Sequence, residues 1–178
     1  MSLNPFFPKD KKIIEQQPPE GAENTTLLLK EILADELNFI CFDCRMELDL
    51  NITLNYSINN GIILCSKCAE IHKSTLSAFS EIKTCNPEEL EEEEILLLYY
   101  GGNRKLTEFI EFEFPQLINY DNQTMYKTVA LEYYRQNLRC LAFAEPKPLK
   151  PTKEEGYQIM HENLYGIEKK NYIKLEGK

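Results

Sequence analysis

Two Cys-x-x-Cys pairs, Cys41/Cys44 and Cys65/Cys68, lie 20 residues apart and constrain this chain more than any other feature. Each pair bends the backbone so that its two sulfurs face one point. The stretch between them is long enough for a hairpin that returns the second pair to the first. Four soft thiolates arranged as a tetrahedron close the coordination shell of one zinc ion and leave no position for water or substrate. The expected cofactor is therefore one structural Zn2+ on Cys41, Cys44, Cys65 and Cys68, a set that argues against metal catalysis. Two buried thiol pairs or disulfides are the alternative. The N-terminal residues show neither the apolar region of a signal peptide nor the Arg-rich, acid-poor character of a transit peptide, so zinc in a reducing compartment is the better reading. Cys85 and Cys140 lack a Cys-x-x-Cys partner and read as free buried thiols. His72, four residues after Cys68, is a competing ligand on spacing alone but reads instead as a packed or hydrogen-bonded side chain.

The 178 residues fit one domain with a segment at each end. Residues 1–25 read as an extended N-terminal arm punctuated by Pro5, Pro8, Pro18 and Pro19, residues 26–145 as the domain, and residues 146–178 as an extended C-terminal tail with no core contact. Asn24–Thr26 cap a helix whose Leu29, Leu33 and Leu37 fall on one stripe. The β-prone runs Ile52–Ile58 and Ile62–Leu64 flank Asn59-Asn60-Gly61, and Asn-Gly supplies the positive φ of a tight hairpin turn. Helical signals resume after Cys68. Asn86-Pro87-Glu88-Glu89 predicts a helix start with a capping box, and Gly101-Gly102 its stop. A short helix carries Leu106, Phe109 and Ile110 and ends before Pro115. A last long one spans Met125 to Leu141, with Ala130, Tyr134, Leu138 and Leu141 as its buried stripe.

Charge narrows the partners. The chain carries a formal −9, and residues 1–145 hold 13 Lys+Arg against 24 Asp+Glu. Such a body repels nucleic acid and anionic lipid, which predicts protein partners with a basic face and no nucleic acid. The longest apolar cluster, Ile95 to Tyr100, is far too short to cross a bilayer, so no transmembrane segment is expected. The acidic run Glu88–Glu94 reads as a solvated helix face, favoured near a helix N-terminus.

The stretch Ser57-Ile58-Asn59-Asn60-Gly61-Ile62-Ile63-Leu64-Cys65-Ser66-Lys67-Cys68-Ala69-Glu70-Ile71-His72-Lys73-Ser74 resembles the centre of the Arf GTPase-activating protein (ArfGAP) family, in which an Asn-x-Gly and the second Cys-x-x-Cys lead into a His-Arg pair. The likeness continues in order through Phe79-Ser80-Glu81-Ile82-Lys83, Gly101-Gly102-Asn103 and Ala130-Leu131-Glu132-Tyr133-Tyr134-Arg135, over roughly residues 26–145. It implies an α+β fold, a small three-stranded sheet and zinc knuckle surrounded by helices.

In that family the arginine after the histidine enters the nucleotide site of Arf as a catalytic finger; here the position is Lys73. A guanidinium bridges two oxygens with a fixed fork, whereas an ammonium is one compact charge on a flexible stem. The family's tryptophans are absent, and the spacing between the cysteine pairs is longer than usual. The resemblance with these departures leads to the expectation of a catalytically degenerate zinc module, not an enzyme, that serves as a structural or docking subunit of a larger protein assembly. The alternative is an active GTPase-activating protein for an Arf-family small GTPase. With no leader in view, the chain is expected to be intracellular, cytoplasmic by default, with an organelle such as the mitochondrion left open.

Overall fold

Asn59, Asn60 and Gly61 close a hairpin turn. The computed structural model describes residues 22–49 and 53–160. In it β1 (Leu54–Ser57) and β2 (Ile62–Leu64) run antiparallel around that turn, with Tyr56 opposite Ile63. Strand β3 (Ile82–Cys85) joins the other edge of β1, again antiparallel, so that the order is β2-β1-β3. Every residue of β1 and β2 is buried, which makes this small sheet part of the core.

The hairpin turn is held by glycines on both sides of a backbone contact. Gly61 adopts φ +63°, and a Cβ on Gly101 would fall 2.8 Å from the Gly61 carbonyl oxygen. The Gly102 N–H donates to that same oxygen at 2.6 Å. Only residues without side chains let two backbones approach so closely. Asn103 follows, fully buried; its side chain accepts from the Ile63 N–H at 2.9 Å and donates to the Ile40 carbonyl at 2.8 Å. The Gly-Gly-Asn turn therefore ties the hairpin to the segment that enters the first cysteine pair.

Helices surround this centre. Helix α1 (Ala22–Ala34) is followed by a 3-10 turn (Glu36–Phe39), α2 (Ser66–Thr75) follows β2, and α3 (Glu92–Tyr100) and α4 (Asn103–Glu113) follow β3. Then come α5 (Asn122–Tyr126), α6 (Val129–Phe143) and the single turn α7 (Lys153–Gly156). Helix α3 packs against both α1 and α6 and buries Ile95, Leu96, Leu97 and Leu98 between them. No helix among the described residues is long and apolar enough to cross a membrane.

Several boundaries differ from the sequence expectation. Helix α1 opens at Ala22 and buries Leu28 and Ile32, while Leu29 and Leu33 are half-buried on its flank. Leu37 lies beyond the helix, in the 3-10 turn whose cap Asp35 accepts from the Leu37 N–H at 3.0 Å. Glu89 does reach back to the Asn86 N–H, at 3.3 Å. The turn it caps is only the 3-10 turn Pro87–Glu89, because Leu90 takes extended backbone to bury its side chain, and α3 starts afresh at Glu92. The last long helix is broken at Thr128, a buried residue whose hydroxyl donates to the Met125 carbonyl at 2.8 Å. Ala130, Tyr134 and Leu138 are buried, but Leu141 is 47% exposed.

Beyond Glu145 the sequence suggested no core contact, yet residues 146–160 fold back as a strap. Gly156 sits flat on the Phe114 ring, where a Cβ would overlap it, and the Tyr157 ring meets Phe114 edge-on at 5.9 Å. The Gln158 carbonyl accepts from the Val129 N–H at 3.0 Å, and the Met160 N–H donates to the Lys127 carbonyl at 2.7 Å. Lys150 pairs with Glu113. A glycine and backbone hydrogen bonds order this segment, features that a count of apolar side chains does not register. Residues 1–21 and 161–178, which carry most of the expected arm and the end of the expected tail, lie outside the described residues.

Candidate functional site

The first cysteine pair sits in a tight loop. The Cys41 N–H donates to the Met46 carbonyl at 2.7 Å and the Arg45 N–H to the Cys41 carbonyl at 3.0 Å, which curls the chain around its own sulfurs. Arg45 has φ +61°, a left-handed conformation rare without glycine, and its guanidinium lies over the Phe42 ring at 5.2 Å. The second pair is placed by the start of α2: Cys65 caps the helix, and Cys68 lies one turn in. A hydrogen bond from the Phe42 N–H to the Ile63 carbonyl, 3.1 Å, fastens the two loops together.

These contacts bring Cys41, Cys44, Cys65 and Cys68 into one cluster, with all four sulfurs within 4.8 Å of one another and the Cys44 and Cys65 sulfurs 3.6 Å apart. Four sulfurs at about 2.3 Å from a common ion stand about 3.8 Å apart in a tetrahedron, so the cluster fits a tetrahedral metal ion. Burial pushes the Cys41 thiol up to about 11 and the Cys68 thiol higher still. Thiolates in that position need a cation beside them.

His72 is not part of the cluster. It is fully buried, with Nε2 3.0 Å from Asp43 Oδ2 and Nδ1 2.6 Å from Ser80 Oγ. Lys73, the next residue, faces solvent; its side chain is 44% exposed and its ammonium meets Glu70 at 3.1 Å on the same helix. Cys85 is buried on β3 and Cys140 half-buried on α6, both as free thiols. In the run Glu88–Glu94, Glu88, Glu89, Glu91, Glu92 and Glu93 are exposed, and Glu94 pairs with Lys83 at 2.6 Å.

Sequence reasoning missed the buried polar residues around His72. Asp43, Ser80, Tyr126 and Arg135 were named, if at all, only as members of motifs. The available signal was Asp43, a charged residue placed inside a cysteine loop that must turn toward the core.

A four-sulfur cluster on an α+β core, with the exposed Lys67 and Lys73 on the helix leading out of it, is the arrangement of a zinc-finger-type module. The chain belongs to the ArfGap family, described as "Putative GTPase activating protein for Arf", whose profile matches residues 26–142. It is 31% identical over 86 residues to the ADP-ribosylation factor GTPase-activating protein GCS1 of Saccharomyces cerevisiae, a match that takes in 46% of this chain and 23% of that relative's length. It is also similar to the crystal structure of a "putative GTPase activating protein for ADP ribosylation factor" from Cryptosporidium parvum, with a TM-score of 0.51 at 15% identity, covering 70% of this chain and 96% of that one. The second likeness bears on the fold alone.

One expectation is corrected by these findings. A chain that is not an enzyme was expected from the loss of the arginine, but the family to which it belongs and its yeast relative bear the names of GTPase-activating proteins, regulators of GTP hydrolysis. The expectation gave one side chain more weight than the scaffold, and the substitution at position 73 keeps the positive charge.

Proposed function

We propose that this chain is a GTPase-activating module for an Arf-family small GTPase, with Lys73 supplying the cation that meets the nucleotide phosphates. A structural Zn2+ on Cys41, Cys44, Cys65 and Cys68 would hold the scaffold and take no part in chemistry. The observation that carries this reading is the placement of Lys73. Its ammonium stands on the exposed side of α2, immediately after the buried His72, and is held only by an exposed i,i+3 pair with Glu70 among the described residues. Such a surface pair is worth about 0–1 kcal/mol, so a phosphate can displace it readily.

The chemistry asks for little beyond charge and position. Phosphoryl transfer from GTP passes through a loose transition state with negative charge spread over the transferred group, and a well-placed cation lowers its energy. An ammonium offsets that charge at one point but does not bridge two oxygens, so the module should be a weaker activator than one with a guanidinium. The loss of the fork favours a second emphasis, docking on the GTPase as a subunit of a larger assembly. A GTPase partner also agrees with an intracellular site of action.

Single-turnover GTP hydrolysis by a panel of Arf-family GTPases tests the proposal. The wild-type chain should accelerate hydrolysis by about ten- to a thousandfold at saturation, and Lys73→Ala should remove most of that gain. No acceleration at any concentration, with any member of the panel, would overturn the activator reading. Binding without acceleration would leave docking as the function.

A further inference from the structure

Helix α2 turns a narrow face to the core, one that the four-sulfur cluster anchors at the first turn and that grips weakly beyond it. Its inward residues are Cys65 at the cap, Cys68, Ala69 and His72, with Leu76 just past its end. Apolar contact through an alanine is non-directional and does little to stop a helix from rolling about its axis. The imidazole of His72 is different, because it is fully buried and engaged at both nitrogens.

Those two contacts belong to a closed circuit of buried polar groups. The Tyr126 hydroxyl donates to Asp43 Oδ1 at 2.8 Å, and Asp43 Oδ2 meets His72 Nε2 at 3.0 Å. His72 Nδ1 meets Ser80 Oγ at 2.6 Å, and Ser80 Oγ meets Ser57 Oγ at 2.7 Å. Asn60 Nδ2 donates to Ser57 Oγ at 2.8 Å, and Arg135 Nη1 donates both to Asn60 Oδ1 at 3.1 Å and to the Tyr126 carbonyl at 3.2 Å, which closes the loop. The ring of Tyr126 packs edge-on against the imidazole at 4.5 Å. Donors and acceptors fall in one order if the Nε2–H tautomer donates to Asp43 and the Ser80 hydroxyl donates to Nδ1. The circuit thus registers α2 against the first cysteine loop, the hairpin, the turn before β3, and α6.

We infer that His72 is a positioning residue: by bridging Asp43 and Ser80 it sets the roll of α2 and so aims the Lys73 ammonium. Adjacent helical residues are about 100° apart around the axis, so any roll that displaces the imidazole swings Lys73 with it. The inference rests on the function proposed above for Lys73. It adds that the cation works because a buried histidine behind it is clamped from two sides.

Single-turnover hydrolysis with His72→Gln, titrated against the GTPase, separates aim from docking. The maximal acceleration should fall by about tenfold, with the half-saturating concentration and the zinc content unchanged. Hydrogen exchange of the isolated zinc-loaded chain should quicken at the α2 amides of residues 70–76 and stay unchanged in β1 and β2. Should His72→Gln fail to fold, Ser80→Ala takes its place, because it removes one of the two clamps and leaves the imidazole; a loss of about threefold is then expected. An equal fall in docking and in rate, or zinc loss, would make His72 merely structural and overturn the inference. If the wild-type chain activates no GTPase, the proposed function fails separately. Exchange then decides alone: selective quickening in α2 supports the clamp, and unchanged α2 exchange overturns it.

Discussion

Four sulfurs from two loops converge on a single point, whereas the strap of residues 146–160 lies along the start of α6 and over Phe114 through spread contacts. The knuckle is made of a few mutually dependent parts, since each sulfur matters only if the other three are in place. The strap is made of many small independent ones: a glycine against a ring, two backbone hydrogen bonds and the Lys150–Glu113 pair. Loss of one part should therefore be all-or-none at the knuckle and graded at the strap.

The largest effect should come from the metal. Chelation should abolish the cooperative melt, because a structural zinc contributes on the order of 10 kcal/mol, and metal analysis should give about one zinc per chain. Cys65→Ser should act like chelation. Protein free of metal yet equally stable would break the comparison at its stronger end.

A smaller effect is expected at the strap. Gly156→Ala places a methyl group into the buried Phe114 ring and should cost about 1–3 kcal/mol in urea denaturation, with zinc content unchanged. Limited proteolysis should then cut within residues 146–160 while the knuckle stays protected. A simultaneous loss of zinc would show that the two regions are coupled rather than independent.

The smallest effect sharpens the contrast through pH. Burial would raise the Asp35 carboxyl, but hydrogen bonds from Arg104 and the Leu37 N–H outweigh it and hold the group below its ordinary value. A lowered folded value means that the contribution is complete above the unfolded carboxylate value, about pH 4, and is lost as the pH falls through the lower folded value. Urea midpoints should therefore be level from pH 5 to 7 for this group, and Asp35→Asn should flatten part of the decline below about pH 4. An identical acid profile for the variant would remove Asp35 from the account.

The knuckle was legible because its information is local. Cys-x-x-Cys spacing, Asn-Gly between two β-prone runs, and the Gly-Gly-Asn turn each encode a backbone shape within a few residues, and all appear in the structure. The strap and the break at Thr128 were not legible, because both depend on partners far away in the chain: Gly156 needs Phe114, and Val129 needs Gln158. Leu141 shows the limit of periodicity, since it stands on the expected stripe one turn after Leu138 and is left exposed near the end of α6. The candidate site divided in the same way. Spacing pointed to the four sulfurs that cluster, and Lys73 came only from the family resemblance, whereas the contacts of His72 join residues 8 and 29 positions away.

The most direct test is the substitution Lys73→Arg in single-turnover GTP hydrolysis by a panel of Arf-family GTPases, compared with the wild type. A guanidinium on the same clamped helix should regain the two-oxygen grip. The maximal rate should be higher by about ten- to a hundredfold, with the half-saturating concentration unchanged. An unchanged or lower rate for Lys73→Arg, in protein with full zinc content, would show that position 73 does not meet the phosphates and would contradict the assignment.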